Sequence, residues 1–160
     1  MKVLFSSFLI AAGICLATPS IAQQLNILPV ITTEFPSSNP NEDATKLNDK
    51  NTKTKYFNEQ YKGQWFQYEF EKPIVYSQYI IGSANDVPKR DPKNWILQGS
   101  TDGKKWVDLD TKSEESFPER QMSKTYAFEN KIAYKHYRLK VTETAGGPLQ
   151  LSEWNLLSGK

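Results

Sequence analysis

Short segments in which apolar and polar residues alternate constrain the fold of this chain more than any other feature. In the clearest of them, three aromatic residues occupy every second position after Gln64: Phe66, Tyr68 and Phe70. A repeat of two is typical of a β-strand with one buried face. Tyr134–Thr142 repeats the pattern and places Arg138 and Lys140 on the outer face. We therefore expect a core enclosed by β-sheets.

Other segments of similar length are rich in β-branched and aromatic residues and are bounded by Gly, Pro, Asn or Ser. We predict further strands at 25–33, 74–82, 94–100, 106–109, 123–128 and 149–157. Ser100-Thr-Asp-Gly103 is typical of a hairpin turn whose glycine supplies a positive φ. Residues 50–62 are predicted to be irregular, and no amphipathic helix of ten or more residues is evident. These features predict an all-β fold, a single β-sandwich of the jelly-roll type.

The first 22 residues have the form of a secretory signal peptide. Lys2 supplies the basic start, residues 3–17 form a short apolar run, and Ser20-Ile-Ala22 fits a small-x-small cleavage site. The apolar run is too short and too early for a membrane span. The only cysteine, Cys15, lies within it, so cleavage would leave a chain without disulfides. We expect cleavage after Ala22 and export to the periplasm, the cell surface or the medium.

Residues 23–160 are then expected to form one domain, since about 138 residues suffice for a single core. Without Lys2 the formal net charge falls from +2 to +1, and basic and acidic residues alternate along the chain. The modest cluster of Lys50, Lys53, Lys55 and Lys62 is expected to be solvated. Nucleic-acid binding needs a concentrated basic stripe and is not expected. Membrane binding is not expected either, and we predict a monomer.

The residues of common catalytic systems are missing. His136 is the only histidine, and it lies within a predicted strand, which removes most Ser-His and Cys-His nucleophile systems. The most visible acidic pair, Glu114-Glu115, is explained equally well by a solvated loop. We therefore predict a binding module that is not an enzyme.

The segment from Lys46 to Thr54 concentrates oxygen ligands. Asp49, Asn51 and Thr54 offer a carboxylate, an amide oxygen and a hydroxyl. Ca²⁺ takes about 6–8 oxygen ligands, including backbone carbonyls. A solvated turn explains the same residues, because Asn and Asp favour turns by bonding their own backbone.

A family resemblance rests on this segment, on the Ser100–Gly103 turn followed by Trp106, and on a closing Leu-Ser-Glu-Trp154. These motifs resemble the discoidin family, the coagulation factor V/VIII C-type domains, over residues 31–158. The resemblance implies a galactose-binding-like β-sandwich with a structural calcium ion. The implied ligands are Lys46, Asp49, Asn51, Thr54, Ser152 and Glu153. The family often has glycine where Lys50 stands, and glycine reaches a positive φ more cheaply.

The loop from Ser83 to Asn94 is the best candidate for ligand recognition. It combines Asn85, Asp86, Arg90 and Asn94, and its prolines would stiffen it. In galactose-binding members of the family, an arginine followed by an asparagine bonds the sugar. Here the spacing is shorter and the neighbouring histidine is not evident, so galactose itself is not implied. Alternatively, Arg90 and Asp91 pair with each other or with Asp86 and shape the loop.

Two neighbouring loops could share that end of the sandwich. Residues 113–121 offer Phe117 as a stacking platform together with Arg120, and residues 144–150 contain Gly146-Gly147. Among the tryptophans, Trp65 is the candidate for exposure, because it lies opposite the Phe66 face. The sequence predicts a secreted, non-catalytic module that binds a glycan or glycoconjugate. The alternative is a cell-surface adhesion domain of the same fold that binds a protein partner.

Overall fold

The computed structural model describes residues 29–159. The predicted signal peptide, and the part of the first predicted strand before Pro29, lie outside the described residues. Within 29–159 the chain forms ten strands. They are β1 (Ile31–Thr33), β2 (Tyr56–Asn58), β3 (Trp65–Ile74), β4 (Gln78–Gly82), β5 (Pro92–Ser100), β6 (Val107–Lys112), β7 (Ser123–Ala127), β8 (Tyr134–Thr144), β9 (Leu149–Leu151) and β10 (Glu153–Leu157).

The strands form an antiparallel sandwich, as predicted. One sheet has the order β1-β3-β8-β5-β6, and the facing sheet has the order β10-β4-β7. A two-stranded ribbon of β2 and β9 completes the fold. The described helical segments are three short 3-10 turns, Pro40–Glu42, Ala44–Leu47 and Pro88–Arg90. None of the helices between residues 29 and 159 has the length and apolar character needed to cross a membrane.

Alternation along the strands defines the two faces of the five-stranded sheet. Phe66 and Leu139 are fully buried, as are Leu97 and Val141. The residues between them, including Gln67, lie on the opposite face because successive side chains of a strand point to opposite sides. The predicted hairpin turn after β5 is present, and Gly103 has a φ of +72°.

Aromatic side chains join the two sheets. Trp154 stacks on Tyr68 with 4.5 Å between ring centroids, and the Tyr68 hydroxyl donates to the Trp154 carbonyl oxygen at 2.6 Å. The Trp95 indole donates to the Tyr79 hydroxyl at 2.9 Å, and that hydroxyl donates to Asp110 at 2.7 Å. The buried polar atoms of these tyrosines thus have partners, which avoids the free-energy cost of leaving them unpaired.

Several predicted strand boundaries were wrong. Residues 56–58 form β2 and pair with β9, a long-range partner that the local sequence does not reveal. Ile74 ends β3, because the chain continues past Pro73 through an irregularity in the ladder between Glu69 and Ile74. The predicted strand 149–157 is two strands, since the chain changes partner at Ser152, from β2 to β4.

Candidate functional site

The predicted metal-binding segment folds into a compact loop after the 3-10 turn that contains Lys46. Asp49 accepts a hydrogen bond from the Asn51 amide at 3.0 Å, and Asn51 accepts one from the Lys53 amide at 3.1 Å. The Thr54 hydroxyl donates to Asp49 at 2.7 Å and to the Asn51 carbonyl at 2.8 Å. These short-range bonds hold Asp49, Asn51 and Thr54, three of the six predicted ligands, in one compact loop.

Lys50 occupies the left-handed region at the centre of this loop, with a φ of +60°. This is the position at which the discoidin pattern often has glycine, and a lysine side chain is disfavoured there by contact with its own backbone. The loop therefore contains a backbone strain of about 1 kcal/mol.

We expect Lys50→Gly to stabilise the domain by up to about 1 kcal/mol, because it removes this strain, with a partial offset from the greater freedom of the unfolded chain. Urea denaturation of both proteins measures the difference. Lys53→Gly is the matched control, since Lys53 does not have a positive φ, and it should lose stability. Equal losses in the two variants would contradict the prediction.

Glu153, the first residue of β10, faces the loop from about 100 residues further along the chain. Its side chain is 4% exposed, and its Oε1 has no hydrogen-bond partner among the described residues. Burial raises the pKa of the Glu153 carboxyl, and the charge of Asp49 raises this pKa further, against hydrogen bonds from Asn155 and the Asn51 backbone. A buried, unpartnered carboxylate oxygen near a second carboxylate is an arrangement that a cation would stabilise.

Ser152 holds this end of β10 in place. Its amide donates to the Gly82 carbonyl at 2.9 Å and its hydroxyl to the Ser83 carbonyl at 2.9 Å. A Cβ on Gly82 would lie 2.4 Å from the Ser152 hydroxyl oxygen, so only glycine permits the approach.

The described residues contain no group of three or more His, Cys, Asp or Glu side chains that could hold a metal ion. The candidate set has two carboxylates and otherwise neutral oxygens, a composition that fits Ca²⁺.

The predicted ligand loop retains two exposed polar residues next to each other. Asn85 and Asp86 are both exposed. Asp86 forms an ion pair with Lys55 and accepts a hydrogen bond from the Val87 amide at 2.8 Å. Burial alone would raise the pKa of Asp86, but the bonds from Lys55 and Val87 outweigh it and lower the pKa. Asp86 is therefore charged and fixed in orientation.

Arg90 lies over the ring of Phe57, with 4.8 Å between the guanidinium carbon and the ring centroid. Both side chains are half-buried. Gly147 approaches them, because a Cβ placed on it would be 3.8 Å from the Arg90 side chain. The loops of residues 84–90 and 144–149 therefore meet beside an aromatic–guanidinium pair.

The remaining predicted ligand residues have structural partners. Arg120 forms two bonds with the buried Asp91, so Asp91 pairs with Arg120 and not with Arg90. Asn94 donates to Glu143 at 2.6 Å and accepts from the Glu114 amide at 2.8 Å. Phe117 is 6% exposed and belongs to the core, which corrects the expectation that it is a stacking platform.

Sequence reasoning missed the roles of two residues beside the loop of residues 84–90. Lys55, expected to be solvated, is 7% exposed because Asp86 and Glu42 balance its charge. Phe57 falls within residues 50–62, which were predicted to be irregular, but it lies in β2 and its ring contacts Arg90. The adjacent aromatic residues Tyr56 and Phe57 were the available signal, since neighbouring positions of a strand face opposite ways.

The fold is a β-sandwich of the discoidin type. The F5/8 type C domain family matches residues 31–154, and the chain belongs to this family. A similar solved structure is the Clostridium perfringens module CpGH89CBM32-5, in complex with GalNAc-β-1,3-galactose. It has a TM-score of 0.67 and 17% identity, over 81% of this chain and 94% of that one.

A second similar structure is the family 32 carbohydrate-binding module of C. perfringens NanJ, in complex with galactose. Its TM-score is 0.65 at 14% identity, over 79% of this chain and 91% of that one. Identities this low show the fold alone. An Arabidopsis thaliana peptide-N(4)-(N-acetyl-beta-glucosaminyl)asparagine amidase is 43% identical over 72 residues. That match covers 41% of this chain, and the chain spans only 9% of the amidase.

Proposed function

We propose that this chain is an exported, non-catalytic module that binds a glycan through the loops around Arg90 and that uses a calcium ion to stabilise its fold. The observation that carries the glycan proposal is the half-buried Arg90–Phe57 pair beside the exposed Asn85 and Asp86. Sugar recognition combines an apolar surface with a few fixed polar groups, and these loops offer both. The two C. perfringens modules of similar structure carry GalNAc-β-1,3-galactose and galactose, which supports a saccharide as the ligand here.

We expect Arg90→Ala to weaken glycan binding at least tenfold, because it removes the guanidinium donors and the contact between the guanidinium group and the Phe57 ring. A glycan array identifies the saccharide, and affinity electrophoresis on a gel that contains it measures the loss. Lys131→Ala is the matched control, since Lys131 is exposed near the start of β8, at the opposite end from residues 84–90. Absence of binding to every saccharide, with capture of a protein insensitive to sugars, would favour the adhesion alternative.

The calcium proposal rests on the orphaned Oε1 of Glu153 and the loop that faces it. Asp49, Asn51, Thr54 and Glu153 would hold the ion, together with the backbone carbonyls of Lys46 and Ser152. A shared ion would connect two segments distant in sequence, and so would substitute for a disulfide.

We expect a chelator to lower the melting temperature by several degrees, because an ion that binds only the native state contributes about 2–4 kcal/mol at saturation. Asp49→Ala should melt like the chelated protein and should not respond to calcium. Glu71→Ala, which removes an exposed carboxylate elsewhere, should keep the full calcium response. Identical melting of wild type and Asp49→Ala in calcium would contradict the proposal.

A further inference from the structure

The outer face of the five-stranded sheet carries a row of planar polar side chains. In the strand register, Gln67 of β3 lies opposite Arg138 of β8, and Arg138 lies opposite Gln98 of β5. Gln98 continues the row by donating to Asp108 of β6 at 2.7 Å. Neighbouring strands are about 4.8 Å apart, so Gln67 and Gln98 are separated by about 10 Å.

Two tryptophans enclose the central arginine of this row. The guanidinium carbon of Arg138 is 4.3 Å from the ring centroid of Trp65 and 3.8 Å from that of Trp106. Both tryptophans are half-buried, so part of each indole remains open to solvent. A guanidinium between two aromatic rings loses hydration, and its electrostatic interactions become stronger.

Arg138 has no carboxylate in direct contact within residues 29–159. No ion pair involves it among residues 29–159, and its buried Nε has no acceptor there. Its side-chain hydrogen bond is the one that Nη2 donates to Gln67 at 2.8 Å. The neighbouring acids Glu69 and Asp108 accept bonds from Lys135 and Gln98 instead. Burial lowers the pKa of Arg138, and the charge of Glu34 offsets this in part.

We propose that this face, formed by Trp65, Gln67, Gln98, Trp106 and Arg138, binds an acidic polysaccharide whose uronate carboxylate pairs with Arg138. The planar guanidinium group of Arg138 matches the geometry of a carboxylate. Its N–H donors that do not bond to Gln67 would donate to the uronate carboxylate. The two indoles provide apolar surface for pyranose rings, and the two amides provide hydrogen-bonding groups for hydroxyls. This combination selects a charged sugar chain over an acidic peptide, which offers carboxylates but no such rings.

The proposed surface is separate from the loop site. Arg138 lies within β8 on the outer face of the sheet, whereas Arg90 lies in the 3-10 turn before β5. The inference therefore does not depend on the glycan proposal for the loops. A chain with both surfaces could bind two saccharide segments at once, which raises apparent affinity for a polymer.

The test uses oligogalacturonate as the probe and its methyl-esterified form as the uncharged match. Wild-type protein is expected to bind the acid at least tenfold more tightly than the ester, and Arg138→Gln is expected to lose at least tenfold in affinity for the acid. Lys131→Ala controls for the loss of one exposed charge and should bind normally. Titration calorimetry measures the affinities, and thermal melting confirms that each variant is folded.

A second measurement needs no variant. The chain has three arginines, Arg90, Arg120 and Arg138, so ¹⁵N NMR resolves a small set of side-chain Nε signals. The Arg138 signal is expected to shift on titration with oligogalacturonate while the Arg120 signal does not.

Equal binding of acid and ester, binding of neither, or an unmoved Arg138 signal would overturn the inference. So would equally tight binding of oligoglutamate, which would indicate a protein partner. Loss of binding in Arg90→Ala but not in Arg138→Gln would reject this surface and support the loop site.

Discussion

Arg120→Ala is expected to destabilise the domain by about 3–5 kcal/mol, because it leaves a buried carboxylate without its counter-charge. The Asp91 side chain is 4% exposed, and Nη1 and Nη2 of Arg120 both donate to it. Arg120 also donates to the Phe117 carbonyl at 2.9 Å, which fixes the loop before β7. Urea denaturation, monitored by tryptophan fluorescence, measures the loss.

The exposed ion pair between Lys135 and Glu69 provides the matched control. Glu69→Ala removes a bond of 2.9 Å between two solvated side chains and should leave stability nearly unchanged, because solvent screens such a pair. The double variant of Asp91→Ala with Arg120→Ala should be more stable than the sum of the single losses predicts, because no charge is then left unpaired. Strict additivity would show that the pair is not coupled.

Trp154→Ala is expected to cost a similar amount, about 3–5 kcal/mol, since it opens a cavity where the two sheets meet. Trp154 is fully buried and stacks on Tyr68. Trp154→Phe should cost much less, about 1–2 kcal/mol, because it retains an aromatic ring and the indole Nε1 has no hydrogen-bond partner among the described residues. The same denaturation experiment compares the two variants.

Val107→Ala is the control for the loss of apolar atoms outside the core. Val107 is 52% exposed, so the substitution should change stability by at most about 0.5 kcal/mol. A Trp154→Phe variant as unstable as Trp154→Ala would mean that the indole nitrogen has a partner that the protein atoms do not provide.

The sequence was sufficient to predict the sandwich because its signal is local. Phe66 and Tyr68 alternate with polar residues, and Leu139 and Val141 do the same in β8, so each strand reveals its buried face without knowledge of its neighbours. The Asp-Gly turn at Gly103 is equally local. The F5/8 type C motifs then identified the family, because each is a short run of residues: one in the Lys46–Thr54 loop, one at the Ser100–Gly103 turn and one where β9 passes into β10.

The contacts of the side chains in the loops could not be predicted in this way. Phe117 looked available for a sugar until the fold placed it in the core, and Arg120 looked free until the fold brought Asp91 beside it. Lys55 is buried because Asp86, 31 residues away, reaches it. These partnerships depend on which loops the sandwich brings together. The cage of Trp65, Arg138 and Trp106 was missed for the same reason, since its residues come from two separate strands and the turn between two others.

The strand order of the larger sheet determines when the protein can fold. β3 pairs with β8, so the residue partner of Gln67 is Arg138, 71 positions later. During synthesis β3 can therefore pair only with β1 until β8 emerges, and closing so long a loop is slow. The larger sheet can therefore form only after most of the polypeptide has been made, because β3 has no β8 partner until Tyr134–Thr144 is synthesised.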